Sequence, residues 1–285
     1  MLIADLRKEL DTGKVTSEEL FEKAVSIAKK YQGEYNSFVT ILDKYKMKKK
    51  TDTLVTGIPY ALKDNFSTSH ILTTGSSNIL KNYVPVFDAT VYKKLKEAGA
   101  VLMGKTVLDE LAMGGTGTTG HTGVVRNPWD KTREIGGSSA GSAAAVALGI
   151  VPFALGSDTG DSIRKPAAFG GVVGFKPTYG LISRYGLFAF ASSLDHVGCF
   201  TRSVRDAALV TDIIKGEDPH DMTSLKDTGE CLVDSLSQDI KGRKLFYIKE
   251  ICDRTLYEKS GDQEILAVLD NFYDLIEKLK EKGFV

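Results

Sequence analysis

A lysine at the end of an apolar run is the first residue of this sequence that could do chemistry. Lys63 follows the run GIPYAL (57–62). The four histidines are widely scattered along the chain, so a nucleophile here would need another base. Burial disfavours a charged ammonium group and lowers the pKa of a lysine towards neutrality, and a neutral lysine can accept a proton from a serine hydroxyl. Lys63 is therefore a candidate general base.

A serine-rich segment further along the chain offers one nucleophile. GSSAG (137–141) fits G-x-S-x-G, the turn that presents the serine of α/β-hydrolases. This pattern would make Ser139 the nucleophile, and His196 or His220 could serve as the later base. Such a turn follows an apolar strand, whereas residues 129–134 (WDKTRE) are charged. A nucleophile elbow at Ser139 is therefore the alternative interpretation.

A second polar segment, GSDTGDSIRKP (156–166), follows an apolar stretch that is predicted to be a buried strand. A turn after such a strand can direct several backbone N–H groups at one point, as a tetrahedral oxyanion requires. The Ser162 hydroxyl could attack a carbonyl held at that point. The candidate donors are the N–H groups of Thr159, Gly160, Asp161 and Ser162.

Other motifs indicate no cofactor, metal or disulfide. GTGTTG (115–120) matches the dinucleotide fingerprint, but that motif requires a strand before it and a helix after it. Residues 108–113 are instead predicted to be helical. The histidines lack metal-ligand spacing, and the three cysteines are odd in number and lack C-x-x-C spacing, which argues against a zinc site and a disulfide framework.

The elements that must position these residues follow from periodicity. Short apolar runs alternate with helical patterns, which predicts an α/β fold. The small residues of 139–148 would let that helix lie close to a sheet. Predicted helices cover 17–30, 139–148, 204–214 and 262–282, with another capped by Asp88 and ending before Gly99; predicted strands cover 55–62, 100–103, 150–155 and 244–248.

Charge and hydropathy limit the class of protein. Lysine plus arginine equal aspartate plus glutamate at 37 each, so no overall charge excess draws the chain to nucleic acid or to an anionic membrane. No apolar run approaches the ~20 residues of a membrane span, and the first residues lack a secretory core. We expect a cytoplasmic protein. The lysine-rich stretch 44–52 is interpreted as a connector between an N-terminal helical arm (1–50) and a main domain (51–285).

Segments from Gly57 to about Arg202 resemble, in order, those of the amidase signature family. The separations agree as well: Ser138 is 75 positions after Lys63, and Ser162 is 24 positions after Ser138. The resemblance implies an α/β fold with a central mixed β-sheet flanked by helices. The matching segments are GIPYALKDN, DATVYKKLKEAGAVLMGKT, DELAMGGT, RNPWD, GGSSAGSAAAVALG, GSDTGDSIRKP, GVVGFKPTYGLISRYGL and FASSLDHVG.

The resemblance also implies roles for the candidate residues. Ser162 would be the acyl-forming nucleophile, Ser138 would relay its proton, and neutral Lys63 would be the base. Ser138 would follow a cis peptide bond. Positions that would support this triad are Gly137, Ser139, Asp158 and Thr159.

Within the family, RNPWD, KPTYGLISRYGL and FASSLDHVG most resemble the A subunits of tRNA-dependent glutamyl/aspartyl amidotransferases. This likeness implies that the glutamine side-chain amide acylates the serine, releasing ammonia, and that water then frees glutamate. A B subunit would use ATP to activate glutamate or aspartate on a misacylated tRNA and would accept the ammonia, and a small C subunit would clamp the two larger ones together. The A subunit itself would need no cofactor.

Two features depart from the family pattern. Gly160-Asp161-Ser162 stands where Gly-Gly-Ser is usual, which puts a carboxylate beside the oxyanion and removes the conformational freedom of glycine. The sequence ends at Val285, so the C-terminal part of the fold, with the glutamine-recognition residues, is expected to be absent. Two alternatives stay open: a catalytically weak A-like assembly partner, and a stand-alone amidase acting on other amides.

Overall fold

A mixed β-sheet organises the first of two units in the computed structural model, which describes residues 1–47, 51–226 and 228–285. The units are residues 1–233 and 234–285. The strands in the described residues are β1 (Phe38–Ile41), β2 (Pro59–Lys63), β3 (Val101–Thr106), β4 (Phe153–Asp158), β5 (Val173–Phe175) and β6 (His196–Thr201). These six strands form the sheet in the order β1-β3-β2-β4-β6-β5.

The centre of the sheet is parallel and fully buried. Strand β2 runs parallel to both β3 and β4, and every residue of these three strands is buried. The outer pairs, β1 with β3, β4 with β6 and β5 with β6, are antiparallel. This arrangement confirms the predicted mixed sheet, and it explains why the central strands read as nearly continuous apolar runs.

Helices cover both faces of this sheet. The helices of the first unit include α1 (Ile3–Asp11), α2 (Ser17–Tyr35), α3 (Thr90–Glu97), α4 (Ala140–Ala147), α5 (Arg164–Gly170) and α6 (Val204–Ile214). Successive side chains of a strand point to opposite faces, so Ala61 joins one core with α2 and α4, whereas Tyr60 and Leu62 join the other with α1, α3 and α6.

Local sequence signals explain two of these helices. Thr16 and Glu19 form a capping box at the start of α2, because the Thr16 side chain accepts from the Glu19 N–H group and the Glu19 carboxylate accepts from the Thr16 N–H group at 2.7 Å. Helix α4 consists of small residues, so it lies against β4. There the Ser142 hydroxyl donates to the Leu155 carbonyl oxygen at 2.9 Å.

The second unit is mainly helical in its described residues. Helix α10 (Gln263–Glu281), predicted over 262–282, is confirmed, and Asp262 caps it by accepting from the Glu264 N–H group at 3.0 Å. The strand predicted over 244–248 is wrong: no described residue pairs with this segment as a strand, and Phe246 is 88% exposed. The remaining helices are α7 (Leu232–Ser235), which crosses the division, α8 (Lys249–Cys252), α9 (Arg254–Glu258) and α10 (Gln263–Glu281).

Two local predictions also need correction. The helix predicted over 108–113 is only a 3-10 turn, Glu110–Ala112. Asp88 does not cap α3, whose N-cap is Ala89; the Asp88 carboxylate accepts from the Ser69 N–H group instead. The domain boundary predicted at residue 50 lies outside the described residues. None of the described helices has the length and apolar character needed to cross a membrane.

Candidate active site

The candidate site lies where the two central parallel strands end. Lys63 is the last residue of β2, and Asp158 is the last residue of β4. The carboxyl ends of parallel neighbours meet at the same edge of a sheet, which is where open α/β sheets place their sites. Helix α4 begins at this edge after Ser138 and Ser139, so serines remote in sequence are brought to Lys63.

Lys63 is completely buried among hydroxyl and carbonyl groups. Its Nζ donates hydrogen bonds to Ser138 Oγ at 2.7 Å, Ser157 Oγ at 2.9 Å and the Ser157 carbonyl oxygen at 3.2 Å. Burial lowers the pKa of Lys63 to about 7, although the carboxylates of Asp109, Asp158 and Asp195 act in the opposite direction. A lysine with this pKa is neutral in a large fraction of molecules near pH 7, as a general base must be.

The peptide bond before Ser138 has the conformation that the resemblance implied. The peptide bond between Gly137 and Ser138 is cis. The neighbouring Ser139 hydroxyl donates to the Ser157 carbonyl oxygen at 3.0 Å, and its N–H group donates to the Ser162 carbonyl oxygen at 3.2 Å. Ser139 thus ties α4 both to β4 and to the segment that carries Ser162.

The geometry gives no support to the alternative with Ser139 as nucleophile. Its hydroxyl is buried and engaged with a backbone carbonyl. His196 Nδ1 lies 2.5 Å from the Leu194 carbonyl oxygen, and His220 Nδ1 lies 3.0 Å from Asp218 Oδ1. In the described part of the chain, neither histidine bonds to Ser139.

Carboxylates hold both ends of the segment 159–162. Asp158 Oδ2 accepts from the Ile163 N–H group at 2.9 Å, and the Thr159 hydroxyl donates to Asp195 Oδ1 at 2.6 Å. Burial acts to raise the pKa of Asp158, but hydrogen bonds from Arg164 and from Ile163 outweigh it and lower that pKa. The Asp158 carboxylate is therefore an ionised anchor for the turn.

The unusual Asp161 fits this turn with little perturbation. Its backbone does not adopt the left-handed conformation that favours glycine. Its side chain is 53% exposed, and one oxygen lies 3.8 Å from Lys165 Nζ. Ser162 beside it is only 6% exposed. Among the described residues, no backbone carbonyl group accepts from the N–H groups of Gly160, Asp161 and Ser162.

Sequence reasoning missed several groups that complete the cluster. Ser157 bonds to Lys63, and Asn65 Nδ2 donates to Ser157 Oγ at 3.0 Å. Asn65 in KDN and Ser157 in GSDTG lie beside residues that the sequence did predict, and this proximity could have identified them. Asp195 anchors Thr159 from the remote segment FASSLDHVG, and this contact follows only from the tertiary fold.

A second buried lysine was also missed. Lys105 of β3 is completely buried, and its Nζ lies 3.3 Å from Asp64 Oδ1. It donates to the hydroxyls of Thr68 and Thr73, both at 2.8 Å. Burial lowers its pKa to about 8, against the opposing effect of Asp64. Lys105 follows an apolar run, so the signal that identified Lys63 applied equally to Lys105.

Neither a metal site nor a nucleotide loop is formed by these groups. No three His, Cys, Asp or Glu residues within 1–47, 51–226 and 228–285 lie close enough to hold a metal ion. The loop 115–120 surrounds the carboxylate of Asp109, with the Gly117 N–H group 2.9 Å from Asp109 Oδ2. The glycine pattern of this loop therefore serves a carboxylate of the same chain.

A mixed β-sheet is flanked by helices and has a buried lysine–serine cluster at the carboxyl ends of its central parallel strands. This arrangement defines a class of protein suited to acyl transfer by a serine. The chain belongs to the Amidase family, whose sequence pattern matches residues 18–282.

Relatives and solved structures agree with this assignment. The chain is 49% identical to the A subunit of the glutamyl-tRNA(Gln) amidotransferase of Persephonella marina (strain DSM 14350 / EX-H1), covering 97% of this chain and 58% of that protein. It is similar to the crystal structure of the A subunit of the glutamyl-tRNA(Gln) amidotransferase of Thermotoga maritima, with 41% identity, a TM-score of 0.79 and coverage of 94% and 59%. It also resembles the peptide amidase of Stenotrophomonas maltophilia, with 29% identity, a TM-score of 0.86 and coverage of 100% and 61%. The chain thus spans little more than half the length of these relatives.

Proposed function

We propose that this chain acts in a glutamine amidase subunit that supplies ammonia for the transamidation of Glu-tRNA(Gln) or Asp-tRNA(Asn). The observation that carries the proposal is the contact of 2.7 Å between Ser138 Oγ and the Nζ of a fully buried Lys63 whose pKa is about 7. Two of the similar proteins are A subunits of glutamyl-tRNA(Gln) amidotransferases, and their names support this choice of substrate.

In the proposed reaction, Ser162 Oγ attacks the carbon of the glutamine side-chain amide. Its proton passes through the Ser138 hydroxyl to Lys63 and then to the leaving nitrogen, which departs as ammonia. The N–H groups of residues 159–162 would hold the oxyanion of each tetrahedral intermediate. Water would then attack the resulting ester and give a proton to Lys63 through Ser138. The proton would return along the same path to Ser162 Oγ as glutamate is released.

Two partner subunits would complete the assembly. The ammonia would reach a B subunit that uses ATP to activate glutamate or aspartate on a misacylated tRNA, and a C subunit would join the two. The chain would need no cofactor of its own, because a serine hydroxyl as nucleophile and a neutral lysine as base suffice for acyl transfer. The assembly would act in the cytoplasm.

A glutaminase assay tests the proposal. Purified chain is incubated with glutamine, alone and with B and C subunits, and ammonia and glutamate are measured. We expect turnover that Ser162→Ala abolishes, whereas Ser26→Ala, a matched change at an exposed serine of α2, leaves it unchanged. Absence of ammonia under both conditions would contradict the proposed activity, and formation of the complex without ammonia would identify an assembly partner.

A second candidate function is supported by one comparison. The peptide amidase of Stenotrophomonas maltophilia matches this chain with a TM-score of 0.86 over the whole chain, so a stand-alone amidase with a different substrate fits the same fold. That function predicts ammonia release from peptide amides without any partner subunit. The glutamine assay and a peptide-amide assay on the same preparation distinguish the two functions.

A further inference from the structure

The carboxylate of Asp109 lies at the centre of the loop 115–120 and is completely buried. Such a charge needs compensation by hydrogen bonds, and successive N–H groups of a turn form a concave site for an anion. Its oxygens accept from the N–H groups of Thr116, Gly117, Thr118 and Thr119 at 2.9 to 3.2 Å, and from the Thr119 hydroxyl at 3.0 Å.

The same loop and residue hold the peptide that carries Ser138. The Gly137 N–H group donates to the Gly115 carbonyl oxygen at 2.9 Å, and the Asp109 N–H group donates to the Ser138 carbonyl oxygen at 3.2 Å. The Gly137 N–H group and the Ser138 carbonyl group, on either side of this peptide bond, are therefore both bonded to Asp109 or to its loop.

The approach is so close that only glycine fits at position 137. A Cβ atom on Gly137 would lie 2.0 Å from Asp109 Oδ2 and 2.8 Å from the Gly117 nitrogen. The Asp109 carboxylate thus contacts the backbone immediately before Ser138. A shift of this carboxylate or of its loop would move Ser138 relative to Lys63, 2.7 Å away.

Asp109 also acts on the base through its charge. Apart from burial, its carboxylate has the largest effect on the pKa of Lys63, which it raises. Loss of this charge is expected to lower the pKa of Lys63 further. An opening of the site to water is expected to do the opposite, because solvation favours the charged ammonium group.

We propose that Asp109 is a positioning residue: its buried carboxylate folds the glycine–threonine loop around itself and thereby sets Ser138 against Lys63. The inference rests on the proposed function, in which Ser138 relays the proton of Ser162. It assigns the GTGTTG segment a role in catalysis without contact with substrate.

The first test replaces Asp109 with asparagine, which presents an amide NH₂ group to the N–H donors of the loop. The readout is the rate at which phenylmethylsulfonyl fluoride modifies Ser162, followed by mass spectrometry across pH. In this reaction Ser162 Oγ bonds to sulfur, fluoride leaves, and the serine proton passes to the base. We expect Asp109→Asn to lower the rate about 10- to 100-fold and to move the acid limb of the pH profile to lower pH.

A matched pair at the rim of the loop keeps the test independent of folding. Thr118 and Thr119 are both exposed, but only the Thr119 hydroxyl bonds to Asp109; that of Thr118 lies 2.7 Å from the Thr116 hydroxyl. We expect Thr119→Val to lower the labelling rate about two- to tenfold, with restoration by Thr119→Ser. Thr118→Val keeps the N–H group that bonds to Asp109, so it should lower the rate less than Thr119→Val does.

The outcomes separate this inference from the proposed function. Labelling of Ser162 without hydrolysis of glutamine would overturn the proposed function and leave the positioning role standing. Equal rates for Thr119→Val and Thr118→Val, or an acid limb that Asp109→Asn moves to higher pH, would overturn the positioning role. An unmodified Ser162 in the parent chain would overturn both, because no activated serine would then exist for Asp109 to position.

Discussion

Two fully buried lysines on neighbouring parallel strands differ in one contact. Lys63 of β2 and Lys105 of β3 both donate to hydroxyl and carbonyl oxygens, and Lys105 in addition lies 3.3 Å from the Asp64 carboxylate. Burial lowers the pKa of both, to about 7 for Lys63 and about 8 for Lys105. Neutral oxygens accept hydrogen bonds without holding the proton on the amine, and a contacting carboxylate holds it. The first environment suits a base, and the second suits a structural ion pair.

The largest expected effect comes from Lys63→Met. This change removes the base and leaves a side chain of similar length, so the catalysed rate should fall by about 10²- to 10⁴-fold. Ammonia release from glutamine at saturating concentration measures it. Retention of most of the activity would show that Lys63 is not the base.

Lys105→Met should instead act mainly on stability. Asp64 would remain as a buried carboxylate with no cation beside it, which costs about 3–5 kcal/mol of unfolding free energy. Urea denaturation measures this loss, and activity per folded molecule should change less than for Lys63→Met. The double variant Asp64→Asn/Lys105→Met is the control, because removal of both charges should restore part of the stability. A loss of activity equal to that of Lys63→Met in a stable protein would contradict the distinction.

The pH dependence of stability distinguishes the two lysines more finely. A folded-state pKa of about 7 for Lys63 is below the unfolded value of about 10.4. Between these values the unfolded chain binds more protons, so the unfolding free energy rises with pH; below about pH 7 both states are protonated and the dependence disappears. The corresponding rise for Lys105 begins near pH 8. In urea denaturation from pH 6 to 10, Lys63→Met should lose the rise in unfolding free energy that begins near pH 7. Lys105→Met should lose the rise that begins near pH 8.

The smallest effect is expected at Asp161, whose carboxylate is close to Ser162 in sequence but exposed to water. Its side chain is 53% exposed and its backbone is not left-handed. Asp161→Gly should therefore change kcat/KM for glutamine by less than about threefold, since solvent screens an exposed charge. Asp161→Asn separates the charge from the backbone effect. A large gain in Asp161→Gly alone would show that the backbone of the turn limits the reaction.

Much of the fold was predictable because its elements carry local signals. The cap at Thr16, the small residues of α4 and the apolar runs of the central strands each depend on a few neighbouring residues. The strand predicted over 244–248 failed for the converse reason. A strand exists only when another strand pairs with it, and periodicity within one segment does not reveal a partner.

The sequence by itself determined the types and spacing of the reactive residues, Lys63, Ser138 and Ser162, and their membership in one family pattern. Only the tertiary structure decided which of two equally apolar-flanked lysines contacts a serine and which a carboxylate. It also decided that GTGTTG encloses Asp109 and that Asp161 faces water. The physical reason is that pKa values and backbone constraints depend on burial and on contacts between residues distant in sequence.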